Sequence, residues 1–504
     1  MGSVRHDLAR KVSVAVALVS AASGALADDP VLQAHVSSRA GYSDNIGLAP
    51  AGFEHSESLA ELTAGLDFSR KGQREETRLS YQAQGVFYGK SHDSDEVYNT
   101  LNAQSRWALV LDRLFVDMFA VYDQTAVSAT KKYSFNKLAL TGNRTDVGIL
   151  GVSPSISLAF GDNVTGEIRF VKTNVDYRDA TLQDDEQQVT SLKIGNPDVR
   201  RGASWSVAYD SEDYDYERSP KVHFETFDGE LGYWFGPTFR LFTTQGLESD
   251  YTLVGRATPG GKSPGLDQHF WYVGVEWRPN DRNDIVVSTG ERSYGNAHRF
   301  QWHYRAARGG GVNVSYSEQP ATFLRDQLNS VRSVGQLTPI DSLDGPGGSL
   351  FYLQKRGDVT FLRERPRSSA ALRFFIDRRF DIVDLLQGLE RETEFYKGTE
   401  LSLRWVINYV TTLAVSSQIA RRRSLVNVVD DDLNSLSIGY ERRIGRQSAF
   451  TVDLSHEKAQ PRSIVSVNQY TENQVVIGIR RTFGTGATAA APQRFTGYLN
   501  GAQY

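Results

Sequence analysis

Nine histidines, two carboxylate clusters and one glycine-rich stretch are the places where this chain of 504 residues could do chemistry. Nucleophilic catalysis needs a serine, a histidine and an acid or amide that the fold can bring together. His6, His35, His55, His92, His223, His269, His298, His303 and His456 are scattered and suggest no such set. His303 and His456 read as sharing the polar face of their segments with Arg305 and Asp453. "DSEDYDYE" (210–217) and Asp430-Asp431-Asp432 carry the oxygen ligands calcium prefers, but lack EF-hand spacing and read as solvated loop tips. "GRATPGGKS" (255–263) is one residue too long for a phosphate-binding loop and has no strand-to-helix context. The absence of cysteine excludes thiolate metal sites. No residue is assigned as catalytic, cofactor-binding or metal-ligating, and no cofactor is expected.

A second group of charged residues recurs with period two. Arg106, Arg169, Arg373, Arg404 and Arg480, with Glu167, Glu230, Glu276, Glu400 and Asp453, stand on the polar face of alternating segments. Facing a wet lumen, such a ladder either braces the wall by internal ion pairs or forms a track for a polar solute. Arg421-Arg422-Arg423 reads as the outer end of a strand, either as a solvated cluster or as a contact for lipopolysaccharide phosphates.

The elements that must position these groups are strands. In 400–407, Leu401, Leu403, Trp405 and Ile407 alternate with Glu400, Ser402 and Arg404. In 269–277, Trp271, Val273, Val275 and Trp277 alternate with Tyr272, Gly274 and Glu276. Segments of this texture run from Leu32 to Phe483, and short turns such as 161–163, 236–237 and 365–367 alternate with longer polar connections. A soluble sandwich explains the strands but not that alternation of short and long, which belongs to outer-membrane barrels. The expected fold is all-β, a transmembrane antiparallel up-and-down barrel of the outer-membrane type with about 22 strands (range 18–22).

The ends agree with that compartment. Arg5, Arg10 and Lys11 precede an apolar run at 12–24 and a small-residue site at Ala25-Leu26-Ala27, the pattern of a signal peptide (1–27) cleaved after Ala27. The chain is expected to be exported to the outer membrane of a Gram-negative bacterium. Its formal net charge of −4 includes three basic residues and one acidic residue within 1–27, which leaves −6 for the mature chain and no nucleic-acid footprint. Residues 28–483 are expected to form the barrel and 484–504 a flexible C-terminal tail. "QVVIGIRRTF" (474–483) reads as the last strand, pairing with the first (near 32–44) to close the sheet. Gly478, Ile479 and Phe483 resemble the insertion signal read by the barrel-assembly machinery, although Arg481 stands where an apolar residue is usual and 484–504 follow.

"GYSDNIGLAP" (41–50), soon after the signal peptide, resembles the outer-membrane β-barrel proteins associated with PEP-CTERM/exosortase systems. The resemblance implies a non-enzymatic barrel linked to exopolysaccharide secretion, surrounded by outer-membrane lipid and lipopolysaccharide, with exopolysaccharide and its export apparatus as partners. The alternatives are a general or substrate-specific porin and a barrel enzyme acting on lipid or glycan. Physically, Asp44 and Asn45 read as an Asx-type turn ending the first strand. A 22-strand barrel leaves a wide lumen that natural examples plug, and strands begin too near Asp28 for a plug domain to precede them. The longest interruption, 318–350, is the candidate plug: Leu324, Leu328 and Val331 have helical spacing and "DSLDGPGGS" (341–349) forms a return. The same loop could instead cap the barrel from outside.

Overall fold

Strict alternation makes a strand with one face for lipid and one for water, and enough such strands must close, because an open edge in hydrocarbon leaves backbone groups unpaired. The computed structural model describes residues 30–484 except 129–130, 133, 162, 197–198, 253–265, 335–350, 383–390, 426–428 and 463–468. The expected signal peptide, the 255–263 stretch, the 341–349 return and the tail from 485 lie outside the described residues.

Twenty-two strands follow in chain order. The first eight are β1 (Val31–Ser43), β2 (Glu57–Lys71), β3 (Glu75–Tyr88), β4 (Glu96–Val110), β5 (Leu114–Ala126), β6 (Arg144–Phe160), β7 (Val164–Tyr177) and β8 (Asp185–Gly195). Then come β9 (Gly202–Tyr216), β10 (Val222–Trp234), β11 (Phe239–Thr252), β12 (Leu266–Asn280), β13 (Asn283–Arg292), β14 (Gly295–Arg305) and β15 (Gly311–Thr322). A helix, α1 (Phe323–Val334), precedes β16 (Phe351–Arg365), β17 (Ser368–Asp381), β18 (Glu392–Asn408), β19 (Thr411–Ser424), β20 (Val429–Arg443), β21 (Ser448–Pro461) and β22 (Tyr470–Gly484). Each strand pairs antiparallel with the next, and β22 returns to β1 with Phe483 opposite Ala34 and Gly478 opposite Arg39. The result is a closed 22-strand up-and-down barrel.

Ten connections of two to six residues lie at one end, and eleven, reaching 28 residues between β15 and β16, lie at the other. Short turns mark the periplasmic end of such a barrel and long loops the extracellular end. Three connections on the long-loop side are also short, those after β9, β13 and β19, and the two-residue turn between β13 and β14 is the shortest, where the alternating pattern gives no warning of a hairpin.

The outer wall is apolar where lipid must be. Leu231 is 66% exposed, Trp405 58% and Ile479 53%, with Val273, Leu403 and Ile477 also exposed. A soluble protein could not present so large an apolar band to water. Five of the seven tryptophans, Trp107, Trp205, Trp277, Trp302 and Trp405, stand on this face near the short-turn ends of their strands. They form one interfacial girdle, because indole combines an apolar body with a polar N–H.

The closing seam depends on one small residue. Arg39 of β1 reaches past Gly478 to Asp453 of β21 (3.1 Å) while its Nε donates to Glu61 of β2 (2.7 Å). A Cβ on Gly478 would collide with Arg39 Cγ and lie 2.6 Å from the Ser38 carbonyl oxygen. Ile479 and Phe483, the other two residues of the expected insertion signal, are on the outer face of β22.

Two outcomes are expected. Leu401→Arg, near the middle of β18, should cost about 2–4 kcal/mol, against about 0–1 kcal/mol for Trp405→Lys at the girdle and little for lumen-facing Ser402→Arg; heat-modifiable gel migration of membrane fractions orders the three. Gly478→Val should sharply lower assembled barrel, and Ile477→Val should not, by the same assay.

Candidate functional site: the lumen and its plug

The sequence from Thr322 to Val334 forms α1 because Leu324, Leu328 and Val331 recur at one-turn spacing and Thr322 Oγ1 accepts the Arg325 N–H (3.2 Å) as an N-cap. The helix turns into the barrel. Leu324, Leu328 and Val331 are almost fully buried, with Leu328 at 0% exposure, against Val147, Ile149, Val175, Tyr214, Val222 and Phe224 of β6, β7, β9 and β10. Arg325 pairs with Glu212 of β9 (2.7 Å), and Tyr177 of β7 donates to Gln327 Oε1 (3.2 Å). The other side of the helix holds Asp326, which accepts from Tyr352 Oη (2.7 Å) and Gln354 Nε2 (2.8 Å) of β16 and faces Arg379 of β17 (3.6 Å). The helix is thus anchored to two opposed stretches of wall. Burial pushes the Asp326 carboxyl up to about 6, with Arg379 opposing. Protonation therefore favours the docked state, which is fully supported below the ordinary carboxylate range and weakens as pH rises through about 6.

Two further connections at the long-loop end, 44–56 and 127–143, also fold inward. In 44–56, Leu48 is wholly buried with Ala139 of the 127–143 loop against Phe375, Tyr396, Leu433 and Tyr470 of the β17 to β22 wall. Ile46 and Leu138 pack with Tyr88, Val86 and Val476. The two segments bond to each other through Leu140 N–H and the Ile46 carbonyl (2.8 Å). The 127–143 loop is tied to the wall by Ser134 to Glu457 (2.6 Å), Asn136 to Gln474 (2.6 Å) and Tyr88 to the Leu138 carbonyl (2.9 Å). The signal available in the sequence was the apolar content of "SFNKLAL" inside an otherwise polar loop.

The "SDN" of 41–50 acquires a physical role here, different from a local Asx turn. Ser43 donates to Glu472 (2.6 Å), and the Asn473 amides donate to Asp44 from across the seam (2.6 and 2.7 Å). Asn45 Nδ2 donates to the Ala49 and Thr471 carbonyls (2.8 and 3.0 Å) while Oδ1 accepts the Ala49 N–H (2.9 Å). That ring turns the chain inward and holds Leu48 at φ 50°, a left-handed conformation costly for leucine and offset by its burial.

Below the plug the charged residues resolve into separate clusters. Arg169 pairs with Glu167 (2.7 Å) and Asp117 (3.3 Å), and Arg106 approaches the same Asp117 (3.6 Å). Arg240 joins Glu230 (2.6 Å) to Glu276 (3.4 Å), and Arg278 joins Glu276 to Asp284. Arg373 joins Asp358 (2.5 Å) to Glu400 (3.2 Å), Arg480 meets Glu441 (2.5 Å), and Asp453 takes Arg39. Arg404 faces the lumen with its Nε unpartnered among the described residues. Asp117, Asp358, Arg240 and Arg39 were not singled out from the sequence, because only pairing across strands shows which like-faced charges are neighbours.

The other candidates separate. Arg421-Arg422-Arg423 and Asp430-Asp431-Asp432 lie opposite each other across the β19–β20 hairpin, with Arg422 on Asp431 (3.1 Å) and Arg421 on Asp430 (3.2 Å). Arg423 turns instead to Glu392 and Asp432 to Arg462 (2.7 Å), so both runs are neutralised within the wall. Asp210 to Glu217 belongs largely to a regular strand, so Glu212 points inward to Arg325 while Asp213 points outward to His223 (2.8 Å). His456 corrects the sequence reading: it lies on the outer face in register with Leu436 and hydrogen-bonds Asn473 (2.7 Å), because Asp453 and Glu457 occupy the inward positions of β21. His303 faces the lumen opposite Asp284.

Leu328→Ala should weaken the docking of α1 by about 2–5 kcal/mol, the range for truncating a fully buried leucine. Single-channel recording in planar bilayers should then show more frequent open events. A bis-maleimide bridge between Tyr177→Cys and Gln327→Cys, specific because the chain has no cysteine of its own, should suppress them.

No protein-family model matches the chain, and no match was found among curated proteins. Among solved structures, the ferric preacinetobactin receptor BauA from Acinetobacter baumannii matches over 90% of this chain and 80% of its own, with 10% identity and a TM-score of 0.51. The FrpB iron transporter from Neisseria meningitidis (F3-3 variant) matches over 90% and 82% with 10% identity and a TM-score of 0.49. The siderophore receptor PirA from Pseudomonas aeruginosa matches over 90% and 80% with 10% identity and a TM-score of 0.44. Identity this low establishes the fold alone. The chain is a 22-strand outer-membrane β-barrel of a Gram-negative bacterium.

Proposed function

We propose that this barrel is a non-enzymatic, gated conduit that assists exopolysaccharide secretion in a PEP-CTERM/exosortase-type system. The observation that carries the reading is the placement of the closure. Three inward segments, 44–56, 127–143 and α1, fill the extracellular part of the lumen with apolar clusters, while a cavity of about 970 Å³ lies at the periplasmic ends of β5 to β12. A solute presented from the periplasm meets an open vestibule and a closed outer mouth, the arrangement that export requires. Most residues around the vestibule are polar or charged and its carboxylates are mostly ion-paired, so it can be wetted by a hydroxyl-rich chain without holding it tightly. Displacement of α1, by glycan or by a docked export partner, opens the path. The Ser43-Asp44-Asn45 clasp that carries the family resemblance then serves as the fixed frame of the gate.

A porin for small solutes would work with the lumen permanently open, and a receptor that takes up an external ligand would present its site outward. The comparison of cells lacking this gene with cells carrying the α1-bridged variant decides among these. Secretion predicts loss of surface polysaccharide and its retention in the periplasm in both strains, with rescue when the bridge is replaced by a cleavable one and cut. Normal surface glycan with impaired uptake of a small solute or an iron complex would overturn it.

A further inference from the structure

Most carboxylates and guanidiniums of the periplasmic vestibule neutralise one another, and this makes the exceptions informative. Glu167, Glu230 and Glu276 are committed to Arg169, Arg240 and Arg278. Three cations that line the same cavity, Arg113, Lys193 and Arg200, have no ion-pair partner among the described residues and are exposed. The one carboxylate left over in the lining is Asp112, so the spare charge is positive. Arg200 is held in place by stacking on the buried Trp234 ring (5.6 Å), whose other cationic neighbour, Arg278 (5.6 Å), is already neutralised.

Register sets Arg113 and Lys193 in a row rather than a cluster. The Ser157 N–H donates to the Arg113 carbonyl (2.7 Å), Ser157 is opposite Glu167, and Glu167 is opposite Lys193. Arg113 and Lys193 are therefore separated by the width of β6 and β7, at about 4.8 Å per strand. Hydroxyls of Ser157, Thr165, Ser204 and Ser206 lie between and beside them. Cations set at intervals among neutral hydroxyls suit a ligand with anionic groups at intervals along a hydroxylated chain, and the cavity is at the upper end of the roughly 300–1,000 Å³ of specific ligand sites.

We infer that this vestibule is the loading site for an acidic polysaccharide, whose carboxylate groups bind Arg113, Lys193 and Arg200 while its hydroxyls meet the serine and threonine wall. The inference rests on the conduit reading and names its substrate class. Titration calorimetry on the detergent-solubilised full chain tests it, with oligogalacturonate, a maltooligosaccharide of equal length and inorganic phosphate as probes. Oligogalacturonate should bind, with affinity falling about tenfold or more in the Arg113→Gln/Lys193→Gln/Arg200→Gln variant and on raising salt. Arg113→Lys/Arg200→Lys, which keeps the charge, should retain most of it. Equal binding of the maltooligosaccharide, or affinity insensitive to both salt and the triple substitution, would overturn the assignment. Full displacement by phosphate would also overturn it, leaving a plain anion site. The salt series uses the unaltered chain, so it decides the matter even where the triple variant fails to assemble. Surface-glycan measurements keep the two readings apart: glycan export by the triple variant at the normal level refutes the loading site alone, and normal export in cells lacking the gene refutes the conduit while leaving the binding result standing.

Discussion

In hydrocarbon every backbone N–H and C=O must find a partner, so the seam between β1 and β22 is the interaction on which the rest depends. Without it the 22 strands are an open sheet with two unpaired edges in lipid. The seam is more than a ladder of backbone bonds. Arg39, lying over Gly478, links β1 to β2 through Glu61 and to β21 through Asp453, so one guanidinium ties four adjacent strands together. Its upper end is finished by Ser43, Asp44 and Asn45 gripping the start of β22.

Closure at 22 strands creates the second problem, a lumen too wide for wall side chains to fill. The chain answers from its own extracellular loops. The clasp at the seam sends 44–56 inward, 127–143 is bonded to it, and α1 enters from the far side and anchors by apolar burial on one wall and by Asp326 on another. The three segments differ in how easily they could leave. The clasped segment is fixed by backbone and amide hydrogen bonds at the seam, whereas α1 is held by one apolar stripe and a few ionic contacts, one of them through a carboxyl that burial disfavours in its charged form. A moving part is expected where removal leaves the barrel's own ladder intact, and α1 meets that condition.

The charged residues below the plug have two jobs. Most are arranged in short bridges across neighbouring strands, which stiffens a wide wall without leaving a strong net field. The remaining cations at the periplasmic end give the vestibule a preference in sign.

The wall is legible in local sequence. Period-two alternation, turn chemistry and the asymmetry of connection lengths are local properties, and each strand's lipid face follows from its own ten or fifteen residues. The spacing of Leu324, Leu328 and Val331 likewise fixed a helix before its partners were known, although it could not say whether that helix capped the barrel or entered it. What tertiary structure decided is everything that depends on separations of hundreds of residues. Arg39 and Asp453 are 414 positions apart, and Ser134 and Glu457 are 323 apart. The arginine and aspartate runs of β19 and β20 read as separate solvated clusters until register set them side by side, and His456 took its face from the parity of β21 rather than from its chemistry. Leu48 and Leu138 sit in polar loops and carry no periodicity, so their inward burial was settled only when closure of the barrel created a space that apolar side chains could fill.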